Sequence, residues 1–305
     1  MTYSIVARDP ATGELGVAVQ TRWFNVGETV PWAEPGVGAV ATQSFSLKSY
    51  GPLGLERMRG GEAAPGVLDA LLAADRDREV RQVGMVDAAG RSAAFTGARC
   101  VEAAGHVTAE NLSIQANMME RATVWPAMAE AYRATQGPLA DRLLAALRAA
   151  EAEGGDVRGC QSAALLVVPA SGPAWATTYD LRVEDHRAPL DELARLLRVA
   201  RAYEAFDRSE APARAGDLVT AAAAMEEAHA LAPDDDQITL WLALMLAAAG
   251  RVADARRLFM EAANVEPRGA EHLRRFLAAG HLPPQVGPAI DLLESGAGPG
   301  PDPGT

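Results

Sequence analysis

The chain opens Met1-Thr2-Tyr3-Ser4-Ile5-Val6-Ala7, which places a threonine directly behind the first methionine and at the head of an alternating, strand-like run. A threonine hydroxyl is a poor nucleophile without a base beside it. Removal of Met1 would put such a base on the same residue, an α-amine whose ordinary pKa is roughly 7.7 to 8.0. The chemistry in prospect is attack of Thr2 Oγ on an amide or related carbonyl, with the amine accepting the proton, and later hydrolysis of the acyl-Thr2 ester. The oxyanion formed on the way needs preorganised donors, and loss of one costs roughly 10²- to 10³-fold in rate. Asn117, mid-strand and able to donate through its amide, is the first candidate, and Gln43 is the second. Gln20 and Thr21 sit on the strand expected beside Thr2 and could hold its amine or hydroxyl in register.

A second group, Asp156, Arg158, Gln161 and Ser162, clusters around the break before a later strand. Arg158 could grip a substrate carboxylate bidentately, or it could close a loop clamp with Asp156. Asp180, Arg182, Asp185 and His186 form a charged strand end, in which a lone histidine beside an aspartate fits a surface or capping pair better than a general base. Cys100 and Cys160 are too few and too isolated for a disulfide framework or a metal site, and Cys160 has no histidine partner to activate it. No Gly-rich phosphate loop, metal-ligand cluster or Ser-His-Asp arrangement competes, so neither metal nor cofactor is expected.

These residues need strands to hold them. The turn cluster Asp9-Pro10-Ala11-Thr12-Gly13 between two β-rich runs predicts a hairpin that begins at Thr2. A third apolar run spans 36–45, helical spacing follows over 52–59 and 65–74, and a second hairpin is expected over 80–97 around Ala88-Ala89-Gly90. Residues 112–119 read as a strand that puts Asn117 on the face opposite Ile114 and Ala116. Helices are expected over 122–135 and 138–153, and strands over 162–168 and 177–183. Strands, helices, strands, helices and strands in that order argue for an α+β protein rather than a doubly wound parallel fold.

The opening resembles the N-terminal nucleophile hydrolases, in which two sheets lie between helical layers and the first mature residue attacks an amide carbonyl. More narrowly, residues 3–186 resemble the domain of unknown function 1028 family. Four segments carry that resemblance: Ser4-Ile5-Val6-Ala7-Arg8-Asp9-Pro10, Gly36-Val37-Gly38-Ala39-Val40-Ala41-Thr42-Gln43, Arg158-Gly159-Cys160-Gln161-Ser162-Ala163-Ala164-Leu165 and Asp180-Leu181-Arg182-Val183-Glu184-Asp185-His186. It implies a four-layer αββα sandwich over residues 1–188 and a Thr2 nucleophile. The chain departs from the proteasome-type pattern at two points. Gln20 stands where an aspartate is expected, and Lys48, the only lysine, lies beyond the third strand.

Beyond Pro189 strand signals vanish and alanine-rich helical spacing takes over. Gly216, Ala221, Ala228 and Pro233 recur as Gly250, Ala255, Ala262 and Pro267, each 34 positions on, the period of a tetratricopeptide repeat. Residues 189–283 are therefore expected to form a small all-α helical-repeat domain that packs on the first domain, binds a protein partner or self-associates. The first repeat is degenerate, with Pro212 inside its first helix. Residues 284–305 form the end segment, in which Gly and Pro over 295–305 predict a disordered tail.

A net charge of −12 and a pI near 4.9 disfavour nucleic acid and anionic membranes as partners. Charges at Arg8, Asp9 and Glu14 leave no room for a signal peptide, and the longest apolar run, 238–249, is too short to cross a bilayer. The expectation is a cytoplasmic protein. Two accounts of it stand: a hydrolase of a small-molecule or peptide C–N bond, and a non-catalytic member of the fold that works as a binding or scaffold protein through its helical tail.

Overall fold

The computed structural model describes residues 2–265, 267–283 and 286–294. In chain order the first part comprises β1 (Thr2–Arg8), β2 (Leu15–Thr21), β3 (Pro31–Glu34), β4 (Gly38–Ser44), α1 (Tyr50–Arg59), α2 (Ala64–Ala74), β5 (Arg81–Asp87), β6 (Ser92–Thr96), β7 (Gly105–Ala109), β8 (Leu112–Asn117), α3 (Val124–Ala134), α4 (Leu139–Ala152), β9 (Ser162–Val168) and β10 (Tyr179–Val183). Helix α5 (Pro189–Ala215) follows, then α6 (Leu218–Leu231), α7 (Asp236–Ala248), α8 (Val252–Val265), α9 (Gly269–Ala278) and α10 (Gly287–Glu294). The architecture is mixed α+β. Contacts divide the chain into two compact units between Leu196 and Leu197, inside α5 and not at the expected 188/189. The expected tail at 295–305 lies outside the described residues.

In the first unit two antiparallel sheets stack face to face. One has six strands in the order β10-β9-β2-β1-β8-β7, and the other has four in the order β3-β4-β5-β6. The β1–β2 hairpin is closed by local chemistry. Asp9 Oδ1 accepts from Ala11 N at 2.8 Å, Asp9 O accepts from Gly13 N, and Gly13 takes the positive φ of 79° that an L side chain resists. Its register pairs Thr2 with Thr21 and Tyr3 with Gln20. Helices α3 and α4 cover the outer face of the six-stranded sheet, and α1 and α2 cover that of the other.

The layer between the sheets changes character along its length. Val6, Val17 and Val19 meet Ala39, Ala41 and Val86 in a dry core, whereas toward the start of β1 the same face carries Ser4 and Thr2, met by Gln43, Gln82, Gln115 and Asn117. All six of these polar residues are buried. Gly84 makes room for them, since a Cβ there would lie 2.1 Å from Gln115 Oε1. The polar half of the layer therefore depends on a close approach that only glycine permits.

The second unit is helical. Gly216 and Gly250 both adopt the left-handed conformation, with φ of 81° and 84°. They end their helices in the same way: Gly216 N donates to Ala213 O and Asp217 N to Pro212 O, as Gly250 N does to Ala247 O and Arg251 N to Leu246 O. Ala221, Ala228, Ala255 and Ala262 are all buried, so the small residues sit where helices cross. Helix α5 runs through Pro212 to Ala215. Among the described residues no helix is long and apolar enough to cross a membrane.

Candidate functional site

Strand pairing brings Thr2, Thr21 and Asn117 side by side at one end of the six-stranded sheet, with Gln43 reaching them from β4 across the layer. Thr2 Oγ1 donates to Thr21 Oγ1 at 3.1 Å, and Thr2 is 5% exposed. Its carbonyl accepts from Gln43 Nε2 at 3.1 Å and from Asn117 Nδ2 at 3.4 Å. Both amides also donate to Gln82 Oε1, each at 2.7 Å. Gln82 is in turn fixed by its own donor, which reaches Ala116 O at 2.9 Å and Thr96 Oγ1 at 2.9 Å. Gln115 completes the array through Ser4, which donates to Gln43 Oε1 at 2.6 Å and accepts from Gln115 Nε2 at 2.6 Å.

This network dictates what Asn117 and Gln43 can do. An amide has two N–H donors: those of Asn117 are directed at the Thr2 carbonyl and at Gln82, and those of Gln43 are shared among the Thr2 carbonyl, Gln82 and the Gln115 carbonyl at 3.2 Å. They therefore position Thr2 rather than present free donors to an oxyanion, and among the described residues buried Asn117 Oδ1 has no partner. Every side chain bonded to Thr2 is neutral, so these bonds orient it without placing a formal charge beside it. The hub, Gln82, was not singled out in the sequence. Its signal is a glutamine on a face otherwise made of Gly84 and Val86, a pattern shared by Gln43 beyond Ala39 and Ala41.

The remaining candidates make no side-chain hydrogen bond to Thr2, although Ser162 lies opposite Thr21 in the β2–β9 register and Gln161 N donates to Thr21 O. Gln20 was expected to hold the Thr2 amine or hydroxyl, but strand alternation turns it to the opposite face of the sheet, beside Tyr3. There it is fully buried, with both amide atoms unpartnered. Asp156 accepts from Arg158 N and Nε at 3.0 Å and from its terminal nitrogen at 2.7 Å, and also from Arg22 N at 3.3 Å. That engages the Arg158 fork within the loop. Gln161 bridges Arg22 and Asp185 at 2.6 and 3.1 Å. Ser162 Oγ donates to Trp23 O and accepts from Val26 N, pinning the loop that follows β2. Asp180 pairs with Arg182 at 2.8 Å on the edge strand β10, which β9 and β2 separate from β1. Lys48 is bound to Glu28 at 2.7 Å.

Behind the sheet Tyr3 OH donates to Glu151 at 2.7 Å, and burial together with that carboxylate pushes the phenol well above its ordinary pKa. Burial likewise raises the Cys160 thiol, which is the opposite of nucleophile activation. Trp23, Phe24 and Phe45 are exposed in the loops that follow β2 and β4, shortly after Thr21, which pairs with Thr2, and Gln43, which bonds its carbonyl. Among the described residues no His, Cys, Asp and Glu cluster could hold a metal ion.

Two stacked antiparallel sheets with a buried polar array at the head of the central strand define an α+β protein organised around Thr2. The model of the Family of unknown function (DUF1028) matches residues 2–193, and the chain belongs to that family. Consistent with this, it is similar to the crystal structure of a Silicibacter pomeroyi protein assigned to the same family model. The TM-score is 0.59 and the identity 33%, covering 64% of this chain and 87% of that one. No curated protein matches the chain.

Proposed function

We propose that the protein is a cytoplasmic hydrolase of the N-terminal nucleophile type, which cleaves an amide or other C–N bond of a small molecule or peptide after removal of Met1. The observation that carries this reading is the placement of Thr2: first residue of a central strand, hydroxyl 3.1 Å from Thr21 Oγ1, carbonyl held by two amides that a third fixes. Helices outside two stacked sheets support the expected four-layer αββα sandwich of that superfamily. In the proposed reaction Thr2 Oγ attacks the carbonyl carbon and passes its proton to the α-amine. The C–N bond breaks as the departing nitrogen takes that proton, and water then hydrolyses the acyl-Thr2 ester to the acid and free Thr2. With the Gln43 and Asn117 amides engaged, stabilisation of the oxyanion falls to backbone N–H groups around the site.

The second reading, a non-catalytic binding or scaffold protein, draws on two observations. One is the neutral surroundings of Thr2. The other is the matched glycine ends and buried alanines of the helical unit, which fit a tetratricopeptide-like repeat. Intact mass spectrometry, followed by treatment with a β-lactone that acylates N-terminal threonines, separates the two. The hydrolase reading expects loss of Met1 and one lactone mass added at Thr2, absent from Thr2→Ala. Retained Met1, or labelling unchanged in Thr2→Ala, favours the second reading.

A further inference from the structure

The helical unit contains a cavity of about 490 Å³ walled by Phe206, Trp241 and Phe276 and floored by Met225 and Met245. This volume falls in the range that holds a small organic ligand, roughly 300 to 1,000 Å³. The rings form a continuous series. Phe206 meets Trp241 edge-on at 5.7 Å between centroids, and Trp241 meets Phe276 edge-on at 5.3 Å, so the walls brace one another. Methionine on the floor supplies a polarizable surface that adapts to shape.

Three hydrogen-bonding groups line this space and have no partner among the described residues: Ser209 Oγ, the Gln237 amide and Trp241 Nε1–H. Ser209 is 6% exposed, so its hydroxyl has little access to bulk solvent. A buried polar group left unpaired costs free energy that a matching ligand atom recovers. Trp241 Nε1–H can only donate, and Ser209 Oγ and the Gln237 amide can donate as well as accept, so acceptor oxygens on a ligand would satisfy all three. The charged residues at the rim do not call for charge, because Glu210 and Arg214 pair with each other.

We infer that this cavity binds an uncharged, largely aromatic small molecule bearing carbonyl or ether oxygens, a function separate from the chemistry proposed at Thr2. The probe is prodan, a neutral naphthyl ketone with environment-sensitive emission, titrated into the full chain. The expected result is one saturable site with blue-shifted emission and quenching of tryptophan fluorescence. Ser209→Ala and Gln237→Leu, each checked for native helicity by circular dichroism, should each weaken binding about fivefold, the effect of one hydrogen bond. The anionic dye anilinonaphthalene sulfonate should bind at least about tenfold more weakly, since Arg214, the one arginine of the lining, is already paired with Glu210 and the sulfonate would lose its hydration. Linear, non-saturating uptake of prodan overturns the site. Saturable binding unchanged in both variants overturns it as well, because the dye then sits elsewhere. Equal affinity for the anionic dye overturns the uncharged ligand class.

Discussion

Gln82 and Gln20 are both fully buried glutamines on strands of the first unit, and the same substitution should move stability in opposite directions at the two positions. In Gln82→Leu, the Asn117 side chain loses its shorter hydrogen bond, the Gln43 amide loses the shortest bond it donates, and Ala116 O loses the donor at 2.9 Å. Leaving a buried donor or acceptor unpaired costs about 1–3 kcal/mol. Gln43 keeps the Thr2 and Gln115 carbonyls as acceptors, which places its share at the low end. With the added burial of leucine as an offset, the net loss is about 2–3 kcal/mol. In Gln20→Leu no bond is broken, because neither amide atom has a partner, and removing an unpaired buried amide is neutral or stabilising by about 1–2 kcal/mol. Urea unfolding at pH 7 measures the pair. Both changes lie in the same unit, so their separation does not depend on how the second unit unfolds. A separation below about 1 kcal/mol, or a loss in Gln20→Leu equal to that in Gln82→Leu, would refute the claim that Gln82 is the hub.

Burial pushes the Tyr132 phenol up to about 12, and its hydroxyl has no partner. Because the folded pKa lies above the unfolded one, its contribution is complete below pH 10 and is lost between there and about 12. Tyr132→Phe should therefore leave stability at pH 7 unchanged or slightly raised and flatten the alkaline fall, as thermal melts across that pH window would show. Gly84→Ala drives a Cβ into Gln115 Oε1 and Ser113 Oγ and should cost about 1–3 kcal/mol, read by the same urea assay; a neutral outcome would mean that the sheets can part.

Much of the fold is written locally. The Asp9 to Gly13 turn announces the first hairpin, and the apolar spacing in α3 and α4 is strong enough to place both helices. Strands β3 and β7 were not legible for a common reason. Each lies at the edge of its sheet, where one unpaired side tolerates a leading proline in β3 and exposed polar residues in β7. At the site, Thr2, Thr21, Gln43 and Asn117 could be nominated because each is polar in an apolar strand. Gln20 shared that signal, and only the hairpin register, which sets it opposite Tyr3, turns it away from Thr2. Gln82 escaped because its role depends on β5 lying across β8, a contact between sheets that no local pattern encodes.

The central claim is that the Thr2 amine serves as base for its own hydroxyl, and the pH dependence of β-lactone acylation at Thr2 tests it most directly. The account predicts Met1 removed and a rate that rises with pH to a plateau, half-maximal near the α-amine value of roughly 7 to 8. All labelling should vanish in Thr2→Ala. A rate that is flat with pH, an adduct on another residue, or a chain that still carries Met1 would contradict it.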